Sequence, residues 1–224
     1  MIDTLPNDVQ ETIWTAYLHG VQERMQRSLM YHMRIFCQDE ASFNTLLDWM
    51  SHMLQHPYTK PDKTIVLVGP KATGKTLFIE LLANLLGRGK VMRTNTLRRL
   101  QHRNGDLEDT MVVCLDDCRL RAELPSIESL VSATHVRITH PDQPSHMVSS
   151  YHRVLVTALP WTMGWTLTLP PEQSAAFHQR FTVISCGTER ATDFYDAIDD
   201  SAQVDQLRRH LMGRPLDLVT ENGD

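Results

Sequence analysis

The stretch from Thr64 to Gly87, TIVLVGPKATGKTLFIELLANLLG, decides the fold. Ile65-Val66-Leu67-Val68 is a short β-branched apolar run, the composition of a parallel strand buried on both faces. Gly69-Pro70-Lys71-Ala72-Thr73-Gly74-Lys75-Thr76 then fills the spacing G-x-x-x-x-G-K-[ST]. Beyond it Leu77, Phe78, Leu81, Leu82, Leu85 and Leu86 recur at helical spacing, and Gly87 stands where a helix stops. Strand, glycine-bounded loop and helix in this order form the context a phosphate cradle requires. Its glycines let the backbone curl until successive N–H groups converge on phosphate oxygens. Lys75 then reaches the β- and γ-phosphates, and the Thr76 hydroxyl ligates Mg²⁺. The expectation is a nucleoside triphosphate site, with Gly69 through Thr76 holding phosphate.

A second element supplies acids. Met111-Val112-Val113-Cys114-Leu115 is an apolar strand closed by Asp116 and Asp117. In a site of this kind one carboxylate holds Mg²⁺ through water and the next polarises the attacking water. Asp116 and Thr76 are therefore the expected metal-side groups, and Asp117 the water-polarising one.

Composition sets the limits. The chain has 224 residues, 42% hydrophobic and 22% charged, which suits one α/β domain with an appendage. No apolar run is long enough to span a bilayer, and MIDTLPNDVQ lacks the basic and apolar regions of a signal peptide. With Cys37, Cys114, Cys118 and Cys186 forming no CxxC pair, a reduced, intracellular setting is expected. The net charge of −5 does not advertise nucleic-acid binding. It is unevenly spread: residues 188–224 carry four Lys/Arg against nine Asp/Glu, whereas Arg88, Lys90, Arg93, Arg98, Arg99 and Arg103 share a stretch without one acid. That stretch reads either as a solvated face or as a contact for a phosphate backbone.

Three segments follow: a helical region over 1–60, a phosphate-loop ATPase domain over 61–187 and an acidic tail with one helix over 188–224. In the first, Thr4-Leu5-Pro6 opens a helix whose apolar spacing from Ile13 holds as far as Phe36; Ser42 caps a second that Pro57 ends. His52 and His56 lie at i, i+4 but lack the glutamate of a zinc-protease pair, so they read as surface histidines. After Gly87 the pattern predicts a strand at Val91-Met92 and a helix from Thr96 to His102. A helix from Pro125 to Ala133 and a strand at Val136–Ile138 follow. Next come a core strand over Tyr151–Thr157, a helix from Pro170-Pro171 through Ala176, a last strand starting at Arg180, and a tail helix over Val204–Met212 stopped by Gly213.

With these elements in hand, the chain resembles the ATPase domain of superfamily 3 helicases, AAA+-related motors of viral, phage and plasmid replication proteins. The run LLDWMSHMLQHPYTKPDKTIVLVGPKATGKT is similar to the primase-helicase branch. The motif order Gly69–Thr76, Val112–Asp117, a hairpin over Val136–Val148 and a strand over Val154–Leu159 follows the family over about 120 residues. His178-Gln179-Arg180-Phe181 resembles the segment that carries its arginine finger, which makes Arg180 the cation given to a neighbouring subunit. The resemblance implies ATP with Mg²⁺ as the bound nucleotide, an AAA+-like core with a parallel sheet and a homo-oligomer, a hexameric ring that acts on single-stranded DNA. It also implies a virus or mobile element as source and a separate initiator or primase as partner. In three places the chain departs from the family. Leu159 stands where the family has a γ-phosphate-sensing asparagine. Pro141 and Gln143 stand where the hairpin tip usually carries lysine. No segment resembles the family's nuclease or primase domains. Three readings stay open: a ring-forming ATPase motor on DNA, an ATP-binding assembly or regulatory module with slow turnover, and a small-molecule kinase, for which no arginine-bearing lid is evident.

Overall fold

A computed structural model describes residues 28–61, 63–101, 104–141, 143–187 and 194–216, together with positions 12, 15, 16 and 19. Its helices are α1 (Leu29–Phe36), α2 (Glu40–Gln55), α3 (Lys75–Leu86), α4 (Leu120–Ser132), α5 (Pro171–Arg180), α6 (Phe194–Asp199) and α7 (Ser201–Gly213). Its strands are β1 (Thr64–Val68), β2 (Val91–Thr94), β3 (Val112–Leu115), β4 (His135–Ile138), β5 (His146–Ser149), β6 (Arg153–Ala158) and β7 (Phe181–Ser185). Five strands form one parallel sheet in the order β2-β3-β6-β1-β7, while β4 and β5 make a separate antiparallel hairpin.

The central strands are mostly apolar because both faces are covered, and side-chain alternation sorts their residues between two cores. Ile65, Leu67, Val112, Cys114, Leu155 and Ile184 face one core, filled by α1, α2, α3, α6 and α7. Val66, Val113, Leu115, Val154, Val156 and Phe181 face the other, beneath α4, α5 and the hairpin. Helices from before the cradle and after β7 thus pack into the same core as α3. This is an α/β fold with the parallel sheet of a phosphate-loop nucleotide-binding core.

Several local expectations are corrected. Ile13, Trp14, Tyr17, Leu18, Val21, Met25 and the Thr4-Leu5-Pro6 cap lie outside the described residues. The helix that reaches Phe36 spans Leu29–Phe36 and is capped by Ser28, whose extended backbone lets its hydroxyl accept from the Tyr31 N–H. Asp39, not Ser42, caps α2, accepting the Ser42 N–H at 2.7 Å. His52 and His56 are half-buried rather than on the surface. The helix expected over Thr96–His102 is a 3-10 segment, Leu97–Gln101. Its start is fixed by the Glu123 carboxylate, which accepts the Leu97 N–H at 2.9 Å and the Thr96 hydroxyl at 2.7 Å. Glu123 and buried Leu120 also explain why α4 begins five residues before Pro125, which sits inside it. Helix α5 runs on to Arg180 because Phe177 is buried, stacking on Phe181 at 4.7 Å. Arg180 therefore ends a helix and does not open the strand. The tail carries two helices, with Asp200 capping α7, and Gly213 is α7's last residue, not a left-handed stop.

Candidate nucleotide site

The cradle lies at the carboxyl end of β1, in the middle of the sheet. Gly69 extends the ladder, its N–H donating to the Ala158 carbonyl at 3.2 Å. A Cβ there would stand 2.9 Å from both the Cys186 Cβ and the Thr73 Oγ1, so the close approach of β7's end requires glycine. Gly74 has φ +91 and caps α3, a conformation that turns the backbone into the helix at little cost only without a side chain. Ala72 shares the left-handed region at φ 66. Lys75 is buried, and its ammonium donates to the Gly69 and Pro70 carbonyls, both at 2.7 Å. The lysine thus ties the loop back on itself.

The acids arrive from β3, two positions from β1 in the sheet, with β6 between. Asp116 is largely buried, its side chain 15% exposed. Its Oδ1 accepts the Thr157 hydroxyl of β6 at 2.6 Å, and its Oδ2 accepts Arg93 Nε of β2 at 2.7 Å and Arg93 Nη2 as well. The Thr157 hydroxyl in turn accepts the Asp117 N–H at 2.9 Å. That bond holds Asp117 in the left-handed region at φ 49, where Asp is tolerated better than most residues, and leaves its side chain exposed.

A cavity of about 420 Å³ joins these pieces, lined by Lys71 through Leu77, Asp116, Asp117 and Leu159. Its remaining wall is aromatic and apolar: His32, Ile35 and Phe36 from α1, with Phe194 and Tyr195 from α6. Helix α1 is held there by Gly187, whose N–H donates to the Phe36 carbonyl at 2.9 Å, and by the stacking of Phe36 on Phe78 at 5.7 Å. Phe194 packs against the His32 ring at 5.2 Å. The reading of the sequence missed this wall, as it missed Arg93. An aromatic pair, Phe194-Tyr195, inside an acidic segment was the available signal for the first. Counting alternate residues back from Asp116 onto a paired strand was the signal for the second.

Magnesium fits this donor set. The Thr76 hydroxyl and the Asp116 carboxylate border one cavity with the cradle, and Mg²⁺ ordinarily takes one or two carboxylates, water and substrate phosphate, not a protein cage. No group of three or more His, Cys, Asp or Glu side chains gathers as a metal site among the described residues. Cys114, Cys118 and Cys186 are buried free thiols, and burial above all pushes each pKa up to about 12.

Arg180 is not in the cavity. Register pairs Phe181 with Thr64 and Ser185 with Val68, so Arg180 stands at the amino end of β1, away from the loop that follows Val68. Its guanidinium pairs with Glu128 of α4 at 2.9 Å, and its side chain is 61% exposed. The hairpin sits on the α4 side of the sheet, anchored where the Glu108 carboxylate accepts from His140 at 2.9 Å and His146 at 3.0 Å. Of the basic stretch, Lys90 pairs with Asp109 at 3.4 Å and Arg93 with Asp116, while Arg103 and the Arg99 side chain lie outside the described residues.

No family model and no curated protein matches the sequence. Solved structures do. The apo C-terminal region of NrS-1 is similar at TM-score 0.66 and 17% identity over 84% of this chain. Two further apo forms of that region give 0.64 at 17% identity over 84% and 0.62 at 15% over 80%. This chain spans less than half the length of those structures, 43–45%. At such identities the likeness is one of fold. Among the described residues no helix is long and apolar enough to cross a membrane.

Proposed function

We propose that this chain is the ATP-binding and ATP-hydrolysing motor of a DNA replication helicase, working as a homo-oligomeric ring on single-stranded DNA. The observation that carries the reading is the convergence of Lys75, Thr76, Asp116 and Asp117 on one cavity at the carboxyl ends of parallel strands. In open α/β sheets that edge is where ligands bind. Triphosphate lies in the loop from Gly69 to Thr76, and the base lies against Ile35, Phe194 and Tyr195. The Lys75 ammonium leaves the Gly69 and Pro70 carbonyls for the β- and γ-phosphate oxygens, so charge developing there meets a cation already buried and oriented. Thr76 and Asp116 would hold Mg²⁺, which would supply Lewis acidity at the phosphate oxygens. Asp117, exposed to the cavity, orients and deprotonates the attacking water.

Arg180 stands too far round the sheet to serve its own cradle, which supports a role at a neighbour's. Delivering it requires the Glu128 pair to open. Because both partners are substantially exposed, that opening costs about 0–1 kcal/mol. The test is ATP hydrolysis with and without single-stranded DNA, beside a size measurement with an ATP analogue. Stimulation together with a ring-sized species is the expected result; a monomer whose turnover ignores DNA overturns the motor. Arg180→Ala should bind nucleotide normally and lose about 10³–10⁵ in rate when assembled. Mixed with Lys75→Ala it should regain activity at shared sites.

One observation favours a second reading, an ATP-binding assembly module with slow turnover. Leu159, at the end of β6, lines the cavity with an apolar side chain where the helicase resemblance expects an asparagine. Brisk DNA-stimulated hydrolysis by the wild type removes this reading.

A further inference from the structure

Arg93 belongs to the acid-free basic stretch, yet the structure ties it to the site. Strands β2 and β3 run parallel with Arg93 beside Cys114 and Thr94 beside Leu115, and the Asp116 N–H continues the ladder to the Thr94 carbonyl at 2.8 Å. Side chains alternate, so Arg93, Cys114 and Asp116 share the face of the sheet that carries α3 and the cradle. From there the guanidinium places two N–H groups on Asp116 Oδ2, while Thr157 occupies Oδ1. Each oxygen of the acid that would face a metal ion thus has a partner, and one partner is a full positive charge.

The two ends of the pair differ in solvation. The Asp116 side chain is 15% exposed and that of Arg93 46%. The carboxylate is fixed by buried Thr157, whereas the guanidinium has water to withdraw into. We propose that Arg93 is an internal counter-cation that competes with the divalent metal ion for Asp116 and so sets how tightly the nucleotide site holds its metal. This rests on the nucleotide-site reading above. The physical ground is that a carboxylate already neutralised by one cation attracts a second less, and the penalty is mutual: metal–nucleotide loosens Arg93 by the factor by which Arg93 loosens the metal. A merely structural Arg93 would affect melting temperature and leave metal affinity alone.

The experiment measures the affinity of a fluorescent, non-hydrolysable ATP analogue in Mn²⁺ and in EDTA, and takes the ratio. Arg93→Gln should raise that ratio roughly five- to tenfold, within the usual range of coupling between sites. Asp116→Asn should lower it. Lys90→Gln, which removes a cation paired to Asp109 instead, should leave it unchanged. A folded Arg93→Gln protein whose ratio is equal to or below that of the wild type overturns the proposal. Should that variant not fold, Arg93→Met keeps the aliphatic stem and carries the same comparison. A wild type that binds the analogue neither in Mn²⁺ nor in EDTA sinks the nucleotide-site reading itself, a result distinct from binding with an unmoved ratio.

Discussion

The cradle and the acid end of the site are neighbours built in opposite ways. The cradle is eight consecutive residues, and its internal bonds are local: Lys75 to Gly69 and Pro70, Thr73 to Pro70. The acid end draws Arg93 from β2, Asp116 and Asp117 from just past β3, Thr157 from β6 and Leu159 from just past it, elements that are far apart along the chain. A contiguous motif works wherever its strand and helix form. A dispersed one works only when the sheet assembles in the order β2-β3-β6-β1-β7. The difference teaches that phosphate binding should be robust here, whereas hydrolysis should depend on parts held by long-range register.

The harshest break of that comparison is at the cradle. Lys75→Ala removes the one buried ammonium from the loop, and turnover should be abolished; a mutant hydrolysing ATP at the wild-type rate would refute the cradle assignment. Next comes Asp117→Asn, which should cost about 10²–10⁴ in rate, the usual contribution of a general base. Nucleotide binding, measured by the fluorescent analogue, should survive, since Thr76 and Asp116 remain. Loss of metal-dependent binding in Asp117→Asn, with Asp116→Asn spared, would exchange the roles of the two acids.

Leu159→Asn sharpens the comparison from the other side by adding a group to the dispersed half. A regained hydrogen bond to a charged group is worth about 1.5–3 kcal/mol, so hydrolysis should rise roughly tenfold or more. Leu159 is half-exposed and lines the cavity, so melting temperature should hold. Slower hydrolysis in a fully folded mutant would place the γ-phosphate sensor elsewhere. The smallest effect is expected from Thr157→Val, which keeps shape but leaves the Asp117 N–H and Asp116 Oδ1 short of a partner. That should cost about 1–3 kcal/mol of stability. At about 2–4 °C per kcal/mol for a chain of this size, calorimetry will resolve the drop. An unchanged midpoint would mean that water replaces the hydroxyl at this rim.

Particular residues show why some of this was legible in advance. The strand at Ile65–Val68, the loop and α3 declare themselves because period, glycine placement and helix stop agree over one short window. Of the hairpin, the residues declared only the first strand, Val136–Ile138, and the turn-rich tip; the hairpin itself was expected from the family resemblance, and its second strand, His146–Ser149, was decided by pairing. Helix boundaries failed where a distant side chain decided them, as Glu123 does at Leu97 and Phe177 does for α5. Arg93 read as one of six surface cations because nothing local ties it to Asp116, 23 residues on. Phe194 and Tyr195 read as part of an acidic tail because only the packing of α6 against α1 turns them toward the cradle.

By itself, then, the sequence determined the phosphate loop with its strand and helix, the α/β class and the presence of an acid pair, since each is encoded in contacts between near neighbours. The tertiary structure alone decided the strand order, the Arg93–Asp116–Thr157 cluster, the aromatic wall and the placing of Arg180 away from its own cradle. Those depend on which strand lies beside which. In a parallel sheet that is settled by burying both faces across long crossover connections, not by any local preference of the chain.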